Sequence, residues 1–138
     1  MSEGSPVALA DRVTKRFGKA DPALSEVSMR VDPGTITGLV GPDGAGKTTL
    51  IHLLAGLMTP DGGRVELLGG PPDAVRSELG YMPQRFGLYE DLSVLENLNL
   101  YAELRGLPPR ERSATFERLL GFTDLGRFQD RLAGKLSG

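Results

Sequence analysis

Nine consecutive residues, Gly41-Pro42-Asp43-Gly44-Ala45-Gly46-Lys47-Thr48-Thr49, constrain this chain more than any others. They fit the phosphate-binding pattern G-x-x-x-x-G-K-[ST], and their flanks fit its required context of strand, glycine loop and helix. Thr35-Ile36-Thr37-Gly38-Leu39-Val40 is an apolar, β-branched run that reads as a buried strand. Thr49 to Leu57 reads as a helix with Gly56 near its end. At average composition the bare pattern arises by chance in about one chain of this length in two hundred. In this context it marks a nucleotide site.

The residue types explain the chemistry. Gly41, Gly44 and Gly46 lack a β-carbon, so the backbone can take left-handed angles and turn its N–H groups inward. Those groups form an anion-binding concavity at the positive end of the following helix. Lys47 adds a charge that can reach β- and γ-phosphates. The Thr48 hydroxyl is placed to ligate Mg²⁺, and Thr49 can donate on the α-phosphate side.

Composition bounds the alternatives. A chain of 138 residues, 39% of them hydrophobic, has the size and apolar content of one ordinary domain. A net charge of −2 gives no general attraction to nucleic acid or to anionic membrane. No cysteine is present, which excludes disulfides and thiolate metal sites. The apolar run from Leu50 to Met58 contains His52 and is far shorter than a membrane span. The first residues do not read as a basic-then-apolar leader. The expectation is a cytosolic protein, or one docked on a membrane through a partner.

In chain order, Val7 to Thr14 reads as a strand with Val7, Leu9 and Val13 as its apolar members. Leu24 to Val31 alternates, with Val27, Met29 and Val31 on one face and Ser28 and Arg30 on the other. The expected arrangement is this antiparallel pair feeding the strand that enters the phosphate loop. Thr59-Pro60-Asp61-Gly62-Gly63 reads as a loop, Arg64 to Leu68 as a short strand, and Asp73 to Leu79 as one or two helical turns. Gly80 to Pro83 reads as a short strand or an extended segment. Ser93-Val94-Leu95-Glu96 is a capping box opening a helix that carries Leu95, Leu98, Tyr101 and Ala102 and ends at Gly106. Pro108-Pro109 precede a second helix with Phe116, Leu119 and Leu120 on one face and Gly121 as its stop. Asp124 to Arg131 stays ambiguous between loop and short helix.

Lys15-Arg16-Phe17-Gly18, the Gly41 to Thr49 loop, Gly80-Tyr81-Met82-Pro83-Gln84, Leu92 to Leu98 and Leu136-Ser137-Gly138 occur in an order that resembles ABC-transporter ATP-binding subunits. Within these, the chain is most similar to the ATPases of ABC-2-type drug exporters. The resemblance covers nearly everything from Val7 onward. It implies an α/β fold: a P-loop (RecA-like) ATPase core with an N-terminal antiparallel β subdomain and a partial α-helical subdomain. Residues 1–83 would form the front half of the core, and 84–138 the glutamine loop and helical part up to the signature start.

The resemblance also implies roles. Phe17 would stack on adenine. Gln84 would sense Mg²⁺ or the attacking water and couple to the membrane subunit. Leu136, Ser137 and Gly138 would open the signature loop that grips ATP on an opposing ATP-binding domain. ATP and Mg²⁺ would be the ligands, and an integral membrane permease and a second ATP-binding domain the partners, with no nucleic acid. Such a protein would sit on the inner face of the cell membrane, powering export of drugs or other small molecules.

Two departures bear on this. Asp43 stands where most such ATPases have Asn, and a carboxylate at the mouth of a phosphate nest repels the ligand unless it points away. The sequence also stops inside the signature, so the acidic strand end that orders Mg²⁺, the catalytic glutamate and the switch histidine are not in it; His52, on the loop helix, reads as structural or surface. The expectation is a chain that binds nucleotide and lacks hydrolysis by itself. A soluble, non-transport ABC-type ATPase, another phosphate-loop enzyme and a non-catalytic fragment are the other readings.

Overall fold

The β-rich first part of the chain folds into a three-stranded antiparallel sheet in the order β2-β1-β3, with β1 Ala8–Lys15, β2 Leu24–Val31 and β3 Gly62–Leu67. The computed structural model describes residues 4–84 and 87–136. It divides into two compact units, Met1–Tyr81 and Met82–Gly138.

Strand β2 follows its alternation: Val27, Met29 and Val31 are half-buried while Ser28 and Arg30 are exposed. Strand β1 does not bury Val7 and Leu9. Its buried side chains are Ala8, Ala10 and Val13, because the inward face changes parity at a bulge. Between the pairs Ala10↔Met29 and Val13↔Val27, Asp11 and Arg12 stand opposite Ser28 alone. Arg12 takes φ 48°, and its N–H donates to Ser28 Oγ at 2.9 Å. A second bulge lies on β2, where Glu26 takes φ 49° and donates its N–H to Thr14 Oγ1 at 3.1 Å. In both places a hydroxyl accepts the N–H that the disrupted ladder leaves over.

Helix α1 (Lys47–Leu54) covers the sheet. Leu50 and Leu53 pack with Ala10, Val13 and Leu24, and Val27, Met29, Leu54, Met58 and Val65 close the cluster. Leu53 is only 1% exposed. Burying one such side chain contributes about 1.5–3 kcal/mol.

The expected buried strand before the phosphate loop is not formed. Residues 35–40 carry no regular secondary structure, and Ile36 and Val40 are 104% and 90% exposed. A strand exists only through its neighbours, and among the described residues none lies beside this segment. Gly80 to Pro83 likewise has no assigned secondary structure among the described residues, and Asp73 to Leu79 holds only turns and one 3₁₀ turn, Arg76–Glu78.

In the second unit the capping box is present: Ser93 N–H donates to Glu96 Oε2 at 2.7 Å and Glu96 N–H donates to Ser93 Oγ at 3.2 Å. It starts helix α2 (Val94–Leu104). Helix α3 (Pro109–Phe122) has proline in its first turn. Val94, Ala102, Phe116 and Leu120 form the shared core, with Leu95, Leu98, Leu107, Leu125 and Leu136 around it. Leu119 is 38% exposed, and Gly121 does not stop α3. The helix runs one residue further, and the left-handed residue beyond it is Asp124 at φ 53°. Asp124 to Arg131 contains a 3₁₀ turn, Gly126–Phe128, after which Leu132 bridges back to Ser93.

Candidate functional site

The phosphate loop lies between the 35–40 segment and α1. Gly44 and Gly46 take left-handed φ values of 78° and 83°. At Gly46 glycine is required twice over: a Cβ there would lie 2.5 Å from the Ala23 carbonyl oxygen and 2.7 Å from Leu24 Cδ2. The Ala45 N–H donates to the Pro42 carbonyl at 3.3 Å, and the first helical bond runs from Leu50 N–H to the Gly46 carbonyl at 2.9 Å. Among the described residues no side chain caps α1, and its first turn has no acidic residue. Its leading N–H groups and the positive end of its dipole therefore face the loop uncompensated.

Lys47 arches back over the loop. Its Nζ donates to the Gly41 carbonyl at 2.8 Å and to the Pro42 carbonyl at 2.6 Å. Asp43 and Thr48 are exposed, and Thr49 is half-buried. Donor N–H groups, an ammonium and an exposed hydroxyl within nine residues can hold a polyphosphate with an accompanying cation.

Phe17 follows β1 and is 52% exposed, as a stacking platform must be. Lys15 Nζ stands 6.0 Å from its ring centroid. The strand end leading to Phe17 is bound by Asp61, which the sequence marked only as a loop residue. Lys15 Nζ pairs with Asp61 Oδ1 at 3.0 Å and donates to the Thr59 carbonyl at 2.8 Å, and Arg16 N–H donates to Asp61 Oδ2 at 2.7 Å. The Arg16 N–H bond, then Lys15, hold the Asp61 carboxyl below its ordinary range. Phe17 and the loop lie toward the same end of the sheet: Lys15, two residues before Phe17, pairs with Leu24 across β1 and β2, and Ala23 and Leu24 lie against Gly46.

His52 is structural, one of its two expected roles. Its Nε2 is hydrogen-bonded to Tyr81 Oη at 2.9 Å, with the rings edge to face at 5.9 Å.

In the second unit Gln84 is exposed. The stretch after it is held by Asn97, a residue with no signal in the sequence beyond an amide among leucines. Asn97 is 1% exposed; its Oδ1 accepts Tyr89 N–H at 2.8 Å, and its Nδ2 donates to the carbonyls of Tyr89, Ser93 and Leu92 at 3.0, 3.0 and 3.2 Å. Tyr101 Oη donates to the Gly87 carbonyl. Leu136 packs on the core of this unit, whereas Ser137 and Gly138 lie outside the described residues.

A family profile described as ABC transporter matches residues 24–138. The probable multidrug ABC transporter ATP-binding protein YbhF of Escherichia coli (strain K12) is 57% identical over 129 residues, which are 90% of this chain and 22% of that protein. The taurine import ATP-binding protein TauB of Chromobacterium violaceum is 41% identical, covering 94% of this chain and 50% of that one. The sulfate/thiosulfate import ATP-binding protein CysA of Gloeobacter violaceus is 36% identical, covering 94% and 38%. Among solved structures, an ATP-binding subunit of an ABC transporter superposes with a TM-score of 0.81 at 30% identity, covering 95% of this chain and 56% of that one. The chain thus spans between about a fifth and a half of the curated relatives it matches. Among the described residues no helix is long and apolar enough to cross a membrane.

Proposed function

Because the chain belongs to the ABC transporter family as one of its ATP-binding subunits, we propose that its loop binds ATP with Mg²⁺, and that hydrolysis in the complete ATPase drives solute movement through an integral membrane permease. The observation that carries this reading is the junction of Gly46, Leu24 and Lys15. It brings the glycine loop and an exposed aromatic ring to one sheet end.

In this reading the loop N–H groups and the α1 N-terminus take the phosphate oxygens. Lys47 exchanges the Gly41 and Pro42 carbonyls for β- and γ-phosphate oxygens, a stronger, charge-assisted contact. Thr49 serves the α-phosphate, and Phe17 stacks on adenine. Mg²⁺ fits the donor set through the exposed Thr48 hydroxyl, a hard oxygen donor beside the loop. Thr48 would hold the ion, which would neutralise phosphate charge. Gln84 would sense that ion or the attacking water and couple to the permease. Leu136, Ser137 and Gly138 would reach the nucleotide of a second ATP-binding domain. The working location would be the inner face of the membrane, through the permease.

The relatives include importers of taurine and sulfate, but identity is 57% to the multidrug-type protein against 41% and 36% to those importers. This supports export of a drug-like or other small molecule.

Competition binding tests the nucleotide assignment. With Mg²⁺ present, ATP binds tightest, inorganic tripolyphosphate retains much of the affinity, and AMP binds far more weakly. AMP as tight as ATP would show that the polyphosphate cradle is not the site.

A further inference from the structure

Asp61 is bound to three consecutive residues of the strand end that carries Phe17. Its N–H donates to the Thr14 carbonyl at 2.9 Å, its Oδ1 pairs with Lys15 Nζ at 3.0 Å, and its Oδ2 accepts Arg16 N–H at 2.7 Å. Phe17 is the next residue. Lys15, 14% exposed at its side chain, is held as well by the Thr59 carbonyl, two residues before Asp61. Its ammonium lies 6.0 Å from the Phe17 ring centroid. An exposed ring has several rotamers, and a platform useful to a base must be held near one position before the ligand arrives. Arg16 sits beyond the last paired residue of β1, Lys15, so sheet hydrogen bonds do not fix its backbone. The Asp61 carboxylate does.

We propose that Asp61 is a positioning residue for the Phe17 platform, acting through the Arg16 N–H and the Lys15 ammonium, so that it governs recognition of the base and not of the phosphates. The inference rests on the stacking assigned to Phe17 above.

The test compares ATP and inorganic tripolyphosphate by calorimetry on the full chain, as parent, Phe17→Ala, Asp61→Ala, Asp61→Asn and the Phe17→Ala/Asp61→Ala double variant. Tripolyphosphate has no base, so it reports the loop alone. Asp61→Ala is expected to weaken ATP about tenfold, the scale of one lost charge-assisted hydrogen bond, while tripolyphosphate affinity stays constant. Asp61→Asn keeps an oxygen for Arg16 N–H and loses the Lys15 ion pair, so a smaller loss of the same selectivity is expected. It also serves as the readable variant if Asp61→Ala unfolds. In the Phe17→Ala background the Asp61 substitution should change nothing further. Equal weakening of both ligands would show that Asp61 merely supports the fold, and would overturn the inference. Loss of ATP preference in Phe17→Ala but in neither Asp61 variant would overturn it while leaving the stacking assignment intact. Unchanged ATP affinity in Phe17→Ala would remove the stacking assignment, and this inference with it.

Discussion

Gly46 is packed against Ala23 so closely that a Cβ added to it would lie 2.5 Å from the Ala23 carbonyl oxygen. Leu24 Cδ2, at 2.7 Å, belongs to a flexible side chain that can turn aside; the carbonyl is backbone at the entry to β2 and cannot. The φ of 83° at Gly46 adds a second obstacle for any other residue. Gly46→Ala should therefore destabilise the first unit by at least about 1–3 kcal/mol, the usual cost of a strained backbone position or an overpacked site. Urea unfolding of the two proteins measures this. The same substitution at Gly44, where a Cβ would meet nothing within 4 Å, should cost less.

The phosphate loop was legible because its nine residues are contiguous and its geometry is local. The capping box at Ser93 was legible for the same reason. The 35–40 segment shows the limit: its β-branched pattern states what the segment would do inside a sheet, but pairing depends on neighbours that no short window contains. The β1 bulge at Arg12 hid the change of face from Val7 and Leu9 to Ala8 and Ala10. It depends on Ser28, sixteen residues away. Asp61 is not legible in the sequence because Pro-Asp-Gly reads as a turn by itself, and its partners lie about 45 residues back along the chain. Asn97 gives no such signal either, because an amide on a helix is usually solvated, and only its burial reveals the clamp.

Asn97 supplies a separable prediction within the second unit. Asn97→Ala leaves the Tyr89 N–H and the carbonyls of Leu92 and Tyr89 without this partner, a loss of about 1–3 kcal/mol. Limited proteolysis should cut the stretch between Gln84 and Ser93 faster in the variant.

Acid should weaken the fold through two carboxylates. Asp61 is held below its ordinary range by the Arg16 N–H and then by Lys15, and Glu96 by the backbone N–H and then the side chain of Ser93. A carboxyl depressed in the folded state contributes stability above its unfolded pKa and loses it as pH falls through the folded value. Stability should be level near neutrality on this account and decline below the ordinary carboxylate range. Thermal melts of Asp61→Asn/Glu96→Gln against the parent should show a shallower decline with acid; identical slopes would contradict the assignment.

Asp43 is exposed in the turn of the phosphate loop. If its carboxylate faces the ligand, Asp43→Asn tightens ATP binding, and more strongly at low salt, where screening over about 10 Å is relieved. Titrations at two ionic strengths decide this, and equal affinities for both proteins at both strengths would place the carboxylate away from the phosphates.

The central claim is that the loop around Lys47 holds the phosphates of ATP, and calorimetric titration of Lys47→Ala against the parent with Mg²⁺-ATP tests it most directly. Losing a charge-assisted contact worth about 1.5–3 kcal/mol should weaken binding roughly ten- to a hundredfold. The variant should stay folded, because among the described residues the lysine bonds to the exposed carbonyls of Gly41 and Pro42. Equal ATP affinity in a folded Lys47→Ala protein would contradict the account.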